Sequence, residues 1–146
     1  MGLDKLVGIN LDHVEPDGGA IQRLLEAAKR NISDAHVELV STENRFDAAY
    51  KAIMQLANAA LQANGYRTLT SKPGHHIMMI QALGQTIASD KKKVMMLDAM
   101  RKQRNAADYT GDPISTATLV ECVEHAETLL AEVSEWLRIN KPELLK

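Results

Sequence analysis

The chain has 146 residues, 17 Lys+Arg against 19 Asp+Glu, and a formal net charge of −2. That length suits one domain with a core of its own, and the charge excludes a generally basic coat, so any contact with a polyanion has to be local. The single cysteine, Cys122, excludes an intramolecular disulfide and a cysteine-cluster zinc site.

Few aromatic side chains (one Phe, one Trp, three Tyr) leave the core to Ala, Leu, Ile, Val and Met, a composition that favours close helix packing over a sheet. Residues 1–18 are weakly patterned and end in the turn-forming run Glu15-Pro16-Asp17-Gly18-Gly19. They read as an N-terminal arm, with Asp12-His13 at the surface, ahead of a bundle spanning 19–146. Ile21, Leu24, Leu25, Ala28, Ile32, Ala35 and Leu39 recur at helical spacing and predict a first helix over residues 19–36. Ser41 or Thr42 then caps a second helix, with Glu43 favourably placed against its dipole. Its apolar face is Phe46, Ala49, Tyr50, Ile53, Leu56, Ala57, Ala60 and Leu61, and Asn64-Gly65 stops it. A polar connection leads to Pro73 in the first turn of a third helix, whose buried face is Ile77, Ile80, Leu83 and Ile87.

Asp90 caps a fourth helix, which opens with Lys91-Lys92-Lys93, either a solvated face or an anion contact. Thr110-Gly111-Asp112-Pro113 breaks the chain. Ser115 or Thr116 caps a last helix with the seam Leu119, Val123, Ala126, Leu130, Val133 and Leu137, and Trp136 beside it. Strand-like alternation is absent. The expected fold class is all-α: a single-domain bundle of about five helices. No apolar stretch approaches the roughly 18 residues that a membrane span needs, so no membrane contact and a cytoplasmic location are expected.

The chemistry concentrates in the fourth helix. Arg101, Arg104 and Asp108 fall on the line of Val94 and Leu97, with Asn105 flanking it. Two guanidiniums on one face can grip a phosphate, Asn105 can orient an oxygen, and Tyr109 can stack a base. The plainer alternative is an ordinary Arg104–Asp108 helix pair with Tyr109 packing at the helix end. His75-His76 is the next candidate. Adjacent helical residues point about 100° apart, so the pair is a poor chelate, but either can meet a phosphate if the third helix begins beside the fourth. Arg45 either pairs with Glu43 or points into the same cleft. Zinc-spaced His/Cys sets, Gly-rich phosphate loops and Ser/His/Asp arrangements are absent from the sequence, and no metal or cofactor is expected.

The segment Arg101-x-x-Arg104-Asn105-x-x-Asp108-Tyr109 resembles the HEPN superfamily, small helical-bundle proteins named for nucleotide binding in higher eukaryotes and prokaryotes. Glu43 to Tyr50, Gly65-Tyr66-Arg67 and Pro73-Gly74-His75-His76 extend the resemblance to residues 20–138. Many members carry a histidine five to seven positions after the arginine. Here those positions hold Tyr109, Thr110 and Gly111, so the chain looks like a histidine-less variant ending in Asp108-Tyr109.

The resemblance implies a homodimer whose Arg-Asn motifs meet across a cleft that binds nucleic acid or a nucleotide. It also implies a toxin–antitoxin, stress or defence setting, with a nucleotidyltransferase-type antitoxin as partner. Catalytic members cleave RNA without a metal. On that alternative Arg101 and Arg104 hold the phosphate while Asp108, Tyr109 or His75/His76 move protons. A third alternative is a non-catalytic accessory subunit. Arginines beside Asp108 disfavour the protonated form that an acid needs, so the motif favours binding over cleavage.

Overall fold

The computed structural model describes residues 2–70 and 74–146. Pro73, assigned above to the first turn of the third helix, lies outside them. The fold is an all-α bundle with one small sheet among the described residues. Its elements are β1 (Leu11–His13), α1 (Gly18–Ala35), α2 (Thr42–Ala63), β2 (Tyr66–Thr68), α3 (His75–Gln81), α4 (Leu83–Thr86), α5 (Lys91–Thr110) and α6 (Thr116–Asn140), with short 3-10 turns at Asp4–Leu6 and Pro142–Leu145.

Side-chain caps fix where the long helices start. Asp17 accepts from the backbone N–H of Gly19 and Ala20, Ser41 from Asn44, Asp90 from Lys93 and Ser115 from Thr118. Between the paired alternatives, Ser41 and Ser115 are therefore the caps, not Thr42 and Thr116. Glu43 is used differently from a dipole partner alone: its carboxylate accepts the Ile114 N–H at 3.0 Å and ties the α5–α6 connection to the first turn of α2.

The middle helix, α2, is buried on most of its circumference. All eight predicted face residues are buried, and so are Ala52, Met54, Ala59 and Ala63. Small side chains let α1 and α6 approach it closely from two sides. α1 contributes Ile21, Leu25, Ala28, Ile32 and Ala35; Leu39, expected in the same series, lies beyond the helix end and is fully exposed. In α6 the seam holds at Leu119, Val123, Ala126, Val133 and Leu137, but Leu129 takes the buried place expected for Leu130. Cys122 is a buried core residue, and burial pushes its thiol up to about 12.

Two departures matter. Residues before α1 pair with the main body: Leu11↔Thr68, Asp12↔Arg67 and His13↔Tyr66 form an antiparallel ladder, and Leu3 and Leu11 bury against Leu61 and Ala82. Three residues per strand are too few for alternation to show in the sequence. The third helix is also broken, into α3 and α4 about Ala82. Ile80 and Leu83 are buried as expected, whereas Ile77 and Ile87 are only half-buried. The chain then turns through Ala88 in the left-handed region (φ 58°) and enters α5. α5 itself buries only Leu97 and Met100 of its twenty residues, and rests on α3, α4 and α2.

Candidate functional site: a basic cleft between α2, α3 and α5

The first turns of α5 are set by its cap and by Leu97 and Met100, which pin one face to the core. One turn further on, that same face carries Arg101 and Arg104, both half-buried. Arg101 Nε donates to Asp98 Oδ1 at 2.7 Å, and Lys102 Nζ lies 3.6 Å from the other oxygen. The hydrogen bond from Arg101 holds the Asp98 carboxyl below its usual range. Engaged through Nε, Arg101 keeps its terminal nitrogens for another acceptor.

Arg104 lies over an aromatic face. Its guanidinium carbon is 5.2 Å from the centroid of the Tyr50 ring, while Nε sits 3.9 Å from Asp47 Oδ1 and 3.7 Å from Asp108 Oδ2. Those carboxylate distances are ion pairs too long for hydrogen bonds, so the donors of Arg104 are oriented without being consumed. Burial raises the Asp47 carboxyl, reinforced by Asp108 and opposed by Arg104 and Lys51.

Beneath them, Tyr50 is buried, and its hydroxyl lies 3.0 Å from His76 Nδ1. Burial pushes the phenol up to about 12, against the opposing pull of Arg104 and Arg101. His76 moves the other way: burial, then His75, Arg104 and Arg101, hold its imidazole below the ordinary histidine range. Both shifts agree with a neutral pair, in which the tyrosine donates to Nδ1 or Nδ1–H donates to the tyrosine oxygen according to the tautomer. His75 packs edge-on against the same ring, with centroids 4.8 Å apart.

Two adjoining depressions result. One, of about 400 Å³, is lined by Asp47, Tyr50, Lys51, Met54, His76 and Arg104 among others. The second, of about 310 Å³, is bordered by Gly74, His75, His76, Arg101 and Asn105. His76 belongs to both. The condition set by the sequence, that α3 must begin beside α5, is met, and Arg101, Arg104, Asn105, His75 and His76 are brought together.

Three other candidates are not brought into this cleft. Arg45 pairs with neither Glu43 nor the cleft: its Nε donates to the Ala35 carbonyl at 2.8 Å, tying α2 to the end of α1 on the side of α2 away from Tyr50. Tyr109 is 94% exposed and packs on nothing at the helix end. Asp108 is exposed and lines neither depression; it touches the site through its ion pair with Arg104 and its repulsion of Asp47. Sequence reasoning missed Asp47, Lys51, Met54, Gln55 and Asn58, which line the larger depression at spacings of three and four along α2, with Met79 opposite. The signal was present as a polar stripe on an otherwise buried helix.

Comparison with protein-family models and with curated proteins gives no match. What the cleft can do therefore follows from its chemistry. Two guanidiniums and an amide donate, a neutral imidazole stands between the depressions, and Tyr50, Met54 and Met79 supply apolar wall. That combination suits an anion attached to a flat, partly apolar group. Among the described residues no three His, Cys, Asp or Glu side chains converge to hold a metal ion. No helix described is long and apolar enough to cross a membrane.

Proposed function

We propose that this chain binds nucleic acid or a nucleotide through the cleft of Arg101, Arg104 and Asn105, as a HEPN-like homodimer in a toxin–antitoxin, stress or defence system. The observation that carries the reading is Arg104, poised over Tyr50 with unconsumed donors at the head of a cavity of about 400 Å³, beside the depression lined by Arg101 and Asn105. The dimer part rests on the sequence resemblance. A nucleotidyltransferase-type antitoxin remains part of the proposal through the sequence resemblance alone. In titrations with labelled RNA, Arg104→Ala should abolish binding while the chain melts within about 2 kcal/mol of wild type, since a half-buried cation–π contact lies between the roughly 0.5–1 kcal/mol of an exposed pair and the roughly 2 kcal/mol of a desolvated one. Equal loss of folding and binding would make Arg104 a structural residue and reject the reading.

A second reading, a metal-independent endoribonuclease, is favoured by one observation. His76 lies within the cleft and is oriented by the Tyr50 hydroxyl, so a histidine is available where the helical motif supplies none. In the tautomer whose Nδ1–H donates to the Tyr50 oxygen, the free Nε2 can take the 2′-hydroxyl proton while Arg101 and Arg104 hold the phosphate. Incubation of the purified protein with total RNA in EDTA should then give cleavage that His76→Gln removes. Intact RNA with wild type, or equal cleavage by Arg104→Ala, eliminates the enzyme and leaves a binding or accessory subunit.

A further inference from the structure

We infer that the binding surface extends beyond the arginine cleft as a track for a single-stranded polynucleotide, crossing α2 at Lys51 and continuing over α1 past Arg30 to Arg23. This inference rests on the nucleic-acid reading above and extends it to residues outside the α5 motif.

Continuity is the first support. His76 walls both depressions of the cleft. Lys51 and Gln55 wall the larger one and also a neighbouring depression of about 370 Å³, which Arg30 and Asn31 complete. Arg30 in turn borders a fourth, of about 490 Å³, together with Arg23. The surface is thus one chain of hollows from the start of α3 to the start of α1.

Charge is the second. Among the described residues Arg67, Arg101, Arg104 and Arg138 each have a carboxylate within 4.0 Å, and Arg45 is tied to a backbone carbonyl. Arg23 and Arg30 have neither kind of partner there, and Lys51 has no carboxylate at that distance; all three are exposed. In a chain of net charge −2, the two arginines left without partners both stand on this line. Glu26 and Asp34 also border it, and Glu26 is engaged by Lys29 at 3.5 Å.

The lining is the third support. The larger depression has an apolar wall of Met54 and Met79 against which a base can rest, while Arg104 already covers one face of Tyr50. Two amides complete it with fixed orientation. Gln55 Oε1 accepts from Asn31 at 2.8 Å and Asn58 Oδ1 accepts from Gln62 at 3.2 Å, so each presents its NH2 to a base carbonyl. A duplex keeps its base faces stacked inside and exposes phosphates and base edges, whereas cations beside an apolar wall match a strand whose base faces are free.

The test is fluorescence anisotropy with labelled oligouridylates of 4 and 12 nucleotides, each as RNA and as its deoxy counterpart. Arg23→Ala/Arg30→Ala, both outside the arginine cleft, should weaken binding of the 12-mer by about 10-fold and leave the 4-mer within about 2-fold. It should also flatten the dependence of log K on log salt by about 1.4, at roughly 0.7 per single-strand phosphate contact. The effect in either sugar series sustains the track and tells which sugar it takes. An unchanged 12-mer affinity overturns it, as does an equal loss from Lys91→Ala/Lys92→Ala, which removes the same charge elsewhere. If Arg104→Ala still abolishes binding in either case, the track alone falls; if wild type binds neither oligomer, the parent reading falls with it.

Discussion

His76 links the core to the cleft, and its protonation is visible in the stability of the fold. The unfolded imidazole titrates near 6.5, and in the folded chain burial and nearby cations lower that value. Between the two values the unfolded state binds more protons, so stability falls as pH drops below about 6.5 and levels off beneath the folded value. Urea midpoints should therefore decline from pH 7 towards 5.5, and His76→Gln should flatten that decline; an unaltered slope in the variant would remove His76 from the account. Asp47 acts in a separate, lower window with the opposite sign. Its carboxyl is raised above 3.8, so acidification from that raised value down to 3.8 favours the folded chain. At this scale the sequence made Arg101, Arg104 and Asn105 legible, because charge on a core-directed stripe is unusual. It left Lys51 and Asn58 unmarked, because a polar stripe on α2 looks like an ordinary solvated face until the neighbour across it is known.

Among the elements, α2 is the one whose composition is most tightly constrained. Seven alanines between Ala48 and Ala63 gave a helix of high propensity, and all of them but Ala48 are buried in the fold. Ala52 is fully buried. Ala52→Leu should accordingly cost about 1–3 kcal/mol by overpacking, read as a lower urea midpoint with an unchanged slope. A neutral result would mean that the helices separate at little cost. The caps of α2, α5 and α6 were legible because Ser or Asp stands about one turn before the first large apolar residue of each periodic run. The break about Ala82 was not, since Ile77, Ile80, Leu83 and Ile87 continue one helical period through it. What divides α3 from α4 is tertiary: Ile80 and Leu83 are drawn into the core while the chain turns toward Ala88 and α5.

For the whole molecule, the all-α class and the order of the long helices followed from periodicity, and the small sheet did not. Pairing across 55 residues, as between Asp12 and Arg67, leaves no local trace in either strand. That same pairing orders events in time. The antiparallel α1–α2 hairpin joins residues close in the chain, whereas β1 has to wait until everything through Thr68 is in place, and such long closures come late. β1 should then be a latch that shuts after the rate-limiting barrier is crossed. Leu11→Ala, which empties a fully buried site, should cost about 2–5 kcal/mol. Nearly all of that loss should appear as faster unfolding, with the refolding limb of the chevron unmoved. Slowed refolding would place the latch in the nucleus. A strand early in the sequence would thus be among the last to settle, and the lifetime of the native fold would be governed from β1.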